Sequence, residues 1–136
     1  MKESPLTGQT LIFDLDGTLV DTAPDLVRAL NAVLVPLGYR QTATEDVRGL
    51  IGHGARALLS RTIALSSETV SEARLDAFTT AFVDLYAADI AAHSLPFPGV
   101  RQALMACQQA GCTLAVCTNK KGYLARQLLE ALDLAH

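Results

Sequence analysis

The chain of 136 residues is 50% hydrophobic with a formal net charge of −3, enough apolar material for one packed domain, or for a small one carrying an insert. Eleven Lys and Arg stand against fourteen acids without forming a basic cluster, which argues against nucleic acid or an anionic membrane as the main partner. No apolar run reaches the length of a membrane span, and residues 1–10 lack the apolar core of a secretory signal, so the cytoplasm is the expected location.

Residues 9–15 read as a short strand, apolar and ended by Asp16-Gly17. The period then changes. Thr22 is a candidate helix cap, with Pro24 in the first turn and Asp25 near the positive end of the helix dipole. Leu26, Leu30, Val33, Leu34 and Leu37 fall on one helical stripe, which Gly38 ends. A short helix is predicted over 44–50, another face on Ala55, Leu58, Leu59 and Ile63, and a long helical region over 68–92. In that region Phe78, Ala81, Phe82, Leu85 and Asp89 recur at helical spacing, and Phe78 and Phe82 are expected core. Residues 21 to about 95 thus read as all-helical. "LPFPGV" then punctuates the chain, followed by a helix over 99–110, an apolar strand over 112–118 and a last helix bearing Leu124, Leu128 and Leu132.

Two apolar strands joined by a crossover that contains helices imply a parallel pair in an α/β layer. Such sheets place their sites at the carboxyl ends of the strands, which would bring Asp14, Asp16, Thr118 and Asn119 to one edge. Cys107, Cys112 and Cys117 form no CxxC and are expected as buried small hydrophobes; His53, His93 and His136 have no ligand spacing, so zinc is not expected.

Residues i and i+2 of an extended chain point the same way, so Asp14 and Asp16 are expected to face one small volume. A bare Asp-x-Asp-Gly is also an ordinary turn signal. Two carboxylates so placed repel unless a cation or a shared proton intervenes, and hard oxygen ligands beside a phosphate suit Mg²⁺. One acid can then attack phosphorus while the other manages the proton of the leaving oxygen. Turn amides around Gly17 and the Thr118 hydroxyl are candidates to hold phosphoryl oxygens, and the N-terminus of the last helix favours an anion there.

"FDLDGTLVDT" resembles the first signature of the haloacid dehalogenase-like phosphohydrolases, and "LAVCTNK" their second. The helical insert resembles their α-helical cap, and "PFPGV" the segment that returns to the core. "GLIGHGARALL" and "VCTNKKGYLARQLLEALDLAH" look most like phosphoglycolate phosphatases within that family. The resemblance implies a Rossmann-like α/β core with an incomplete parallel sheet (1–20 and 96–136) and an inserted α-helical cap (21–95). It implies a Mg²⁺-dependent phosphatase of a small phosphorylated metabolite, 2-phosphoglycolate being favoured, acting through an aspartyl-phosphate. Carried over by position, Asp14 is the nucleophile and Asp16 the general acid/base, and the metal takes the Asp14 carboxylate and the Asp16 backbone carbonyl. Gly17, Thr18, Thr118 and Asn119 would bind phosphate. His53 and Arg56 are candidates for the substrate's other end, Arg56 because a guanidinium suits a carboxylate.

The family's two further signatures, a charge-balancing Lys and an acidic pair, do not occur in this sequence. Lys120 and Lys121 read as residues common at that helix start, not as replacements. The expectation is an N-terminal portion of a longer enzyme that hydrolyses phosphate esters very poorly alone. The alternative is a non-catalytic module that self-associates, as a homo-oligomer, through exposed sheet edges and the cap.

Overall fold

The computed structural model describes residues 2–136. Strand β1 (Thr10–Phe13) pairs in parallel with β4 (Thr113–Val116), Thr10 opposite Thr113 and Phe13 opposite Val116. The expected crossover pair is therefore present, though each strand is shorter than its apolar run. The cause lies at Leu15, which is fully buried and whose carbonyl accepts from the amides of Thr18, Leu19 and Val20 at 3.0–3.2 Å. A carbonyl engaged in that turn cannot continue a ladder, and the last rung is Cys117 N–H to Phe13 O at 2.8 Å.

The turn leads into β2 (Val20–Asp21), which pairs antiparallel with β3 (Leu95–Pro96). Two-residue strands carry no readable period, and neither was anticipated. Between them run α1 (Ala23–Leu34), a 3-10 turn (Val35–Leu37), α2 (Thr44–Arg48), α3 (Ala55–Ala64) and α4 (Glu72–Ala88). Gly38 ends the first of these at φ 92°, a left-handed angle that favours glycine. Ser71 caps α4, its Oγ accepting the Arg74 N–H.

Helices α1 and α3 both pack against α4. The buried face of α1 is Leu26, Leu30, Val33 and Leu34 as expected, but Leu37 is exposed because the tighter 3-10 turn takes it off the stripe. On α4 the buried residues are Leu75, Phe78, Phe82, Val83 and Tyr86; Leu85, assigned to the stripe from sequence, is exposed, and Asp89 lies beyond the helix end. Each fully buried Leu or Phe side chain of this core contributes about 1.5–3 kcal/mol.

After β3 come α5 (Val100–Gln109), β4 and α6 (Gly122–Ala131). Leu124, Leu128 and Leu132 are buried in the same cluster as Leu26, Phe82 and Tyr86, so the helices of the intervening stretch cover α6. Exposure falls elsewhere: Ile12 is 66% and Met105 57% exposed, and Val116 is also open. The cysteines follow suit. Cys107 and Cys112 are half-buried and Cys117 is exposed, not buried as expected, where it follows the last residue of β4.

One buried carboxylate fastens the two connectors. Asp25 in the first turn of α1 is fully buried, and its Oδ2 accepts from His93 N (3.0 Å), Ser94 N (2.8 Å) and the Ser94 hydroxyl. Its Oδ1 lies 3.5 Å from Arg28 Nε. A charge this deep is tolerable only with such partners. Replacing Asp25 with Ala should lower the unfolding free energy by about 3 kcal/mol, and Ser94→Ala by about 1 kcal/mol, both read by urea titration.

Candidate active site

Asp14 and Asp16 follow β1, but the chain does not stay extended there. Leu15 turns inward, and Asp16 sits in a turn bridged to Val20. The two carboxylates consequently part company. Asp14 is exposed, with its Oδ1 accepting the Leu15 N–H at 2.8 Å. Asp16 is nearly enclosed, its side chain 11% exposed, and lines a cavity of about 380 Å³ that Asp14 does not line. The alternation expected from an extended chain is lost with the ladder.

Asp16 Oδ1 accepts from the Thr22 hydroxyl at 2.8 Å and from the Lys120 ammonium at 3.0 Å. Thr22 does occupy the N-cap position of α1, but its hydroxyl serves Asp16 and not the helix amides. Asp16 Oδ2 has no partner among the described residues.

The loop after β4 supplies the facing wall. Thr118 and Asn119 line the same cavity as Asp16, as expected for residues at the carboxyl ends of parallel neighbours. Thr118 Oγ1 accepts the Lys120 N–H at 3.1 Å, leaving its own proton to donate, and the Asn119 N–H has no acceptor among the described residues. The Asn119 side chain reaches across to the Gly52 carbonyl at 2.7 Å. Helix α6 begins directly after, at the cavity edge.

Gly17 and Thr18 do not join this wall. The Gly17 N–H is taken by Val20 O at 2.9 Å and the Thr18 N–H by Leu15 O at 3.2 Å, so the turn amides expected to hold phosphoryl oxygens are already bonded. Gly17 holds φ 76°, a requirement of the turn itself. His53 and Arg56 line the far side of the cavity. Arg56 is also bound to Glu72 and, at 3.0 Å, to Asp76, both of which hold its guanidinium protonated more firmly than usual.

Lys120 and Tyr86 are the residues that sequence reading missed. The Lys120 side chain is 6% exposed, its ammonium 2.8 Å from Tyr86 Oη and 4.3 Å from the ring centroid. Tyr86 lies one turn beyond Phe82 on α4, the recurrence that marks a buried position, whereas nothing local separates Lys120 from its exposed neighbour Lys121.

For a divalent cation the available donors are the Asp14 carboxylate and the Asp16 carbonyl, which accepts no hydrogen bond among the described residues. An all-oxygen pair of this kind fits Mg²⁺, which retains waters and needs few protein ligands. No group of three or more His, Cys, Asp or Glu able to hold a metal is present among the described residues.

Burial pushes the Tyr86 phenol pKa well above its ordinary value, and the charge of Asp16 adds to the rise. Burial lowers that of Lys120, opposed by Asp16. The folded chain therefore keeps the phenol proton to higher pH than the unfolded chain does. Stability from that group is intact below the unfolded pKa of about 10 and is lost as pH rises toward the folded value. The advantage of the wild type over Tyr86→Phe should shrink by about 1 kcal/mol between about pH 10 and 11, measured by urea unfolding at each pH.

Comparison with known proteins bears on these positions. Residues 11–136 match the model of the haloacid dehalogenase-like hydrolase family. A phosphoglycolate phosphatase of Caulobacter vibrioides is 47% identical over 130 residues, which cover 96% of this chain and 55% of the relative. One from Agrobacterium fabrum is 46% identical, over 90% of this chain and 53% of its own length. A crystal structure of a predicted phosphoglycolate phosphatase from Haemophilus somnus superimposes with a TM-score of 0.85 at 30% identity, covering 96% of this chain and 60% of that one. The chain thus spans about half the length of the curated relatives it matches. With a parallel pair carrying Asp16, Thr118 and Asn119 at one end, and a family match from β1 to the last residue, this chain belongs to the haloacid dehalogenase-like hydrolases.

Proposed function

We propose that this chain carries the nucleophilic half of a phosphoric monoester hydrolase, acting in the cytoplasm on a small phosphorylated metabolite, 2-phosphoglycolate above all. The observation that carries this reading is the setting of Asp16: one oxygen fixed by Thr22 and Lys120, the other free, on a cavity wall shared with Thr118 and Asn119. The relatives' own names support this choice of substrate.

In the proposed reaction Asp14 turns from the Leu15 amide, and a carboxylate oxygen attacks phosphorus. The bond to the ester oxygen breaks as that oxygen takes a proton from Asp16. A water then gives its proton to Asp16 and attacks the aspartyl-phosphate, which breaks at its phosphorus–oxygen bond and restores the Asp14 carboxylate. The Thr118 hydroxyl and the Asn119 N–H hold the phosphoryl oxygens. Mg²⁺, held by the Asp14 carboxylate and the Asp16 carbonyl, would offset the repulsion between phosphate and carboxylate. Residues 21–95 act as a cap over a core of 1–20 and 96–136; Asn119 to Gly52, Lys120 to Tyr86 and Gln127 to Ala87 are contacts between the two.

The test joins residues 1–136 to the complementary C-terminal part of the Caulobacter vibrioides relative and measures phosphate release from 2-phosphoglycolate with Mg²⁺. The chimera should turn over substrate, lose about 10⁴-fold or more with Asp14→Asn, and lose about 10²-fold or more with Asp16→Asn. The 136-residue chain alone should be far weaker than the chimera. A folded chimera without turnover, together with concentration-dependent dimerisation of the chain, would favour a self-associating module, a reading to which the exposed Ile12, Met105 and Val116 lend support.

A further inference from the structure

The cavity beside Asp16 contains a cation with incomplete bonding. A lysine ammonium has three donors. Among the described residues Lys120 gives one to Asp16 Oδ1 at 3.0 Å and one to Tyr86 Oη at 2.8 Å, which leaves a third. Its side chain is 6% exposed and shares the cavity wall with apolar Leu26, Phe82 and Leu124. Enclosing a cation in such surroundings is costly, and a third acceptor would lower that cost.

The other cations at this cavity are placed differently. Arg56 is exposed and bound by Glu72 and Asp76, and Lys121 is exposed. The cavity narrows the ligand further. Lys120 follows Thr118 by two residues, its amide bonded to Thr118 Oγ1 at 3.1 Å, and both residues line the same cavity of about 380 Å³. A phosphoryl group on Thr118 and a second anion on Lys120 then fit within one small molecule.

We propose that Lys120 is a specificity-determining residue: its third donor receives the second anionic group of the substrate, a carboxylate one or two carbons from the phosphoryl ester oxygen. This assignment rests on the phosphatase reading above, and it moves specificity from Arg56 to Lys120. Tyr86 is the positioning residue, because its hydroxyl and ring fix where the ammonium sits.

The test uses equilibrium binding to the 136-residue chain, followed by NMR, with two probes: inorganic phosphate alone, then glycolate at saturating phosphate. Lys120→Met, nearly isosteric, should weaken glycolate by about tenfold or more, and by a larger factor than it weakens phosphate. Thr118→Val should reverse that order. Tyr86→Phe should weaken glycolate by about threefold and supplies the same comparison should Lys120→Met fail to fold. Equal losses for both probes in Lys120→Met would overturn the assignment and leave the phosphatase reading in place. So would a wild-type chain that binds phosphate but not glycolate. A wild-type chain that binds neither probe would overturn the assignment, while turnover of 2-phosphoglycolate by the chimera remains the separate test of the phosphatase reading.

Discussion

The carbonyl of Leu15 organises much of what surrounds it. By accepting from Thr18, Leu19 and Val20 it stops β1 after four residues and reverses the chain within one tight loop. That reversal sets Asp16 opposite Thr22, starts β2, and sends α1 off with Asp25 pointing at the returning connector. The buried Leu15 side chain anchors the loop from below, so the loop cannot relax without exposing it. The contacts of Asp16 with Thr22 and Lys120 pass through this geometry. An extended continuation would have put Asp14 and Asp16 side by side; the turn instead gives them separate environments, one open to solvent and one enclosed. The proposed reaction gives the two acids different parts, and such a difference suits it.

Charge is distributed around the cavity by the same logic of access. The guanidinium of Arg56, which would suit a carboxylate well, is held at the surface by two acids of α4. The ammonium of Lys120 is inside, against a tyrosine whose hydroxyl accepts from it. There the compact ammonium meets one carboxylate oxygen and one phenol oxygen. Since Tyr86 belongs to the helices that follow β2 while Asp16 and Lys120 flank the parallel strands, the electrostatics of Asp16 depend on how those helices are seated.

Much of this arrangement was legible in the sequence. Parallel strands, the helical run between them and the placing of Thr118 and Asn119 beside Asp16 all followed from period and topology. What escaped did so for identifiable reasons. The Asp14–Asp16 alternation assumed that the strand continued, and no local pattern reports that Leu15 O is engaged in a turn. Gly17 and Thr18 were expected at the phosphate because short motifs name residues without saying which amides are free. Lys120 looked like Lys121 because burial of a charged side chain is decided by a helix some thirty residues upstream.

The antiparallel pair β2–β3 has a consequence for how such a chain can be altered. The stretch from Thr22 to Ser94 leaves and returns through two adjoining strands whose backbones are already bonded and whose flanks are tied by Asp25. Its ends are therefore held side by side in the folded chain. The helices between them are still not a detachable insert, because they share one buried cluster with Leu124 and Leu128 of α6 and with Leu132 just beyond it, and hold the Lys120 ammonium through Tyr86. A graft between Asp21 and Leu95 has to replace that cover as well as span the two strands.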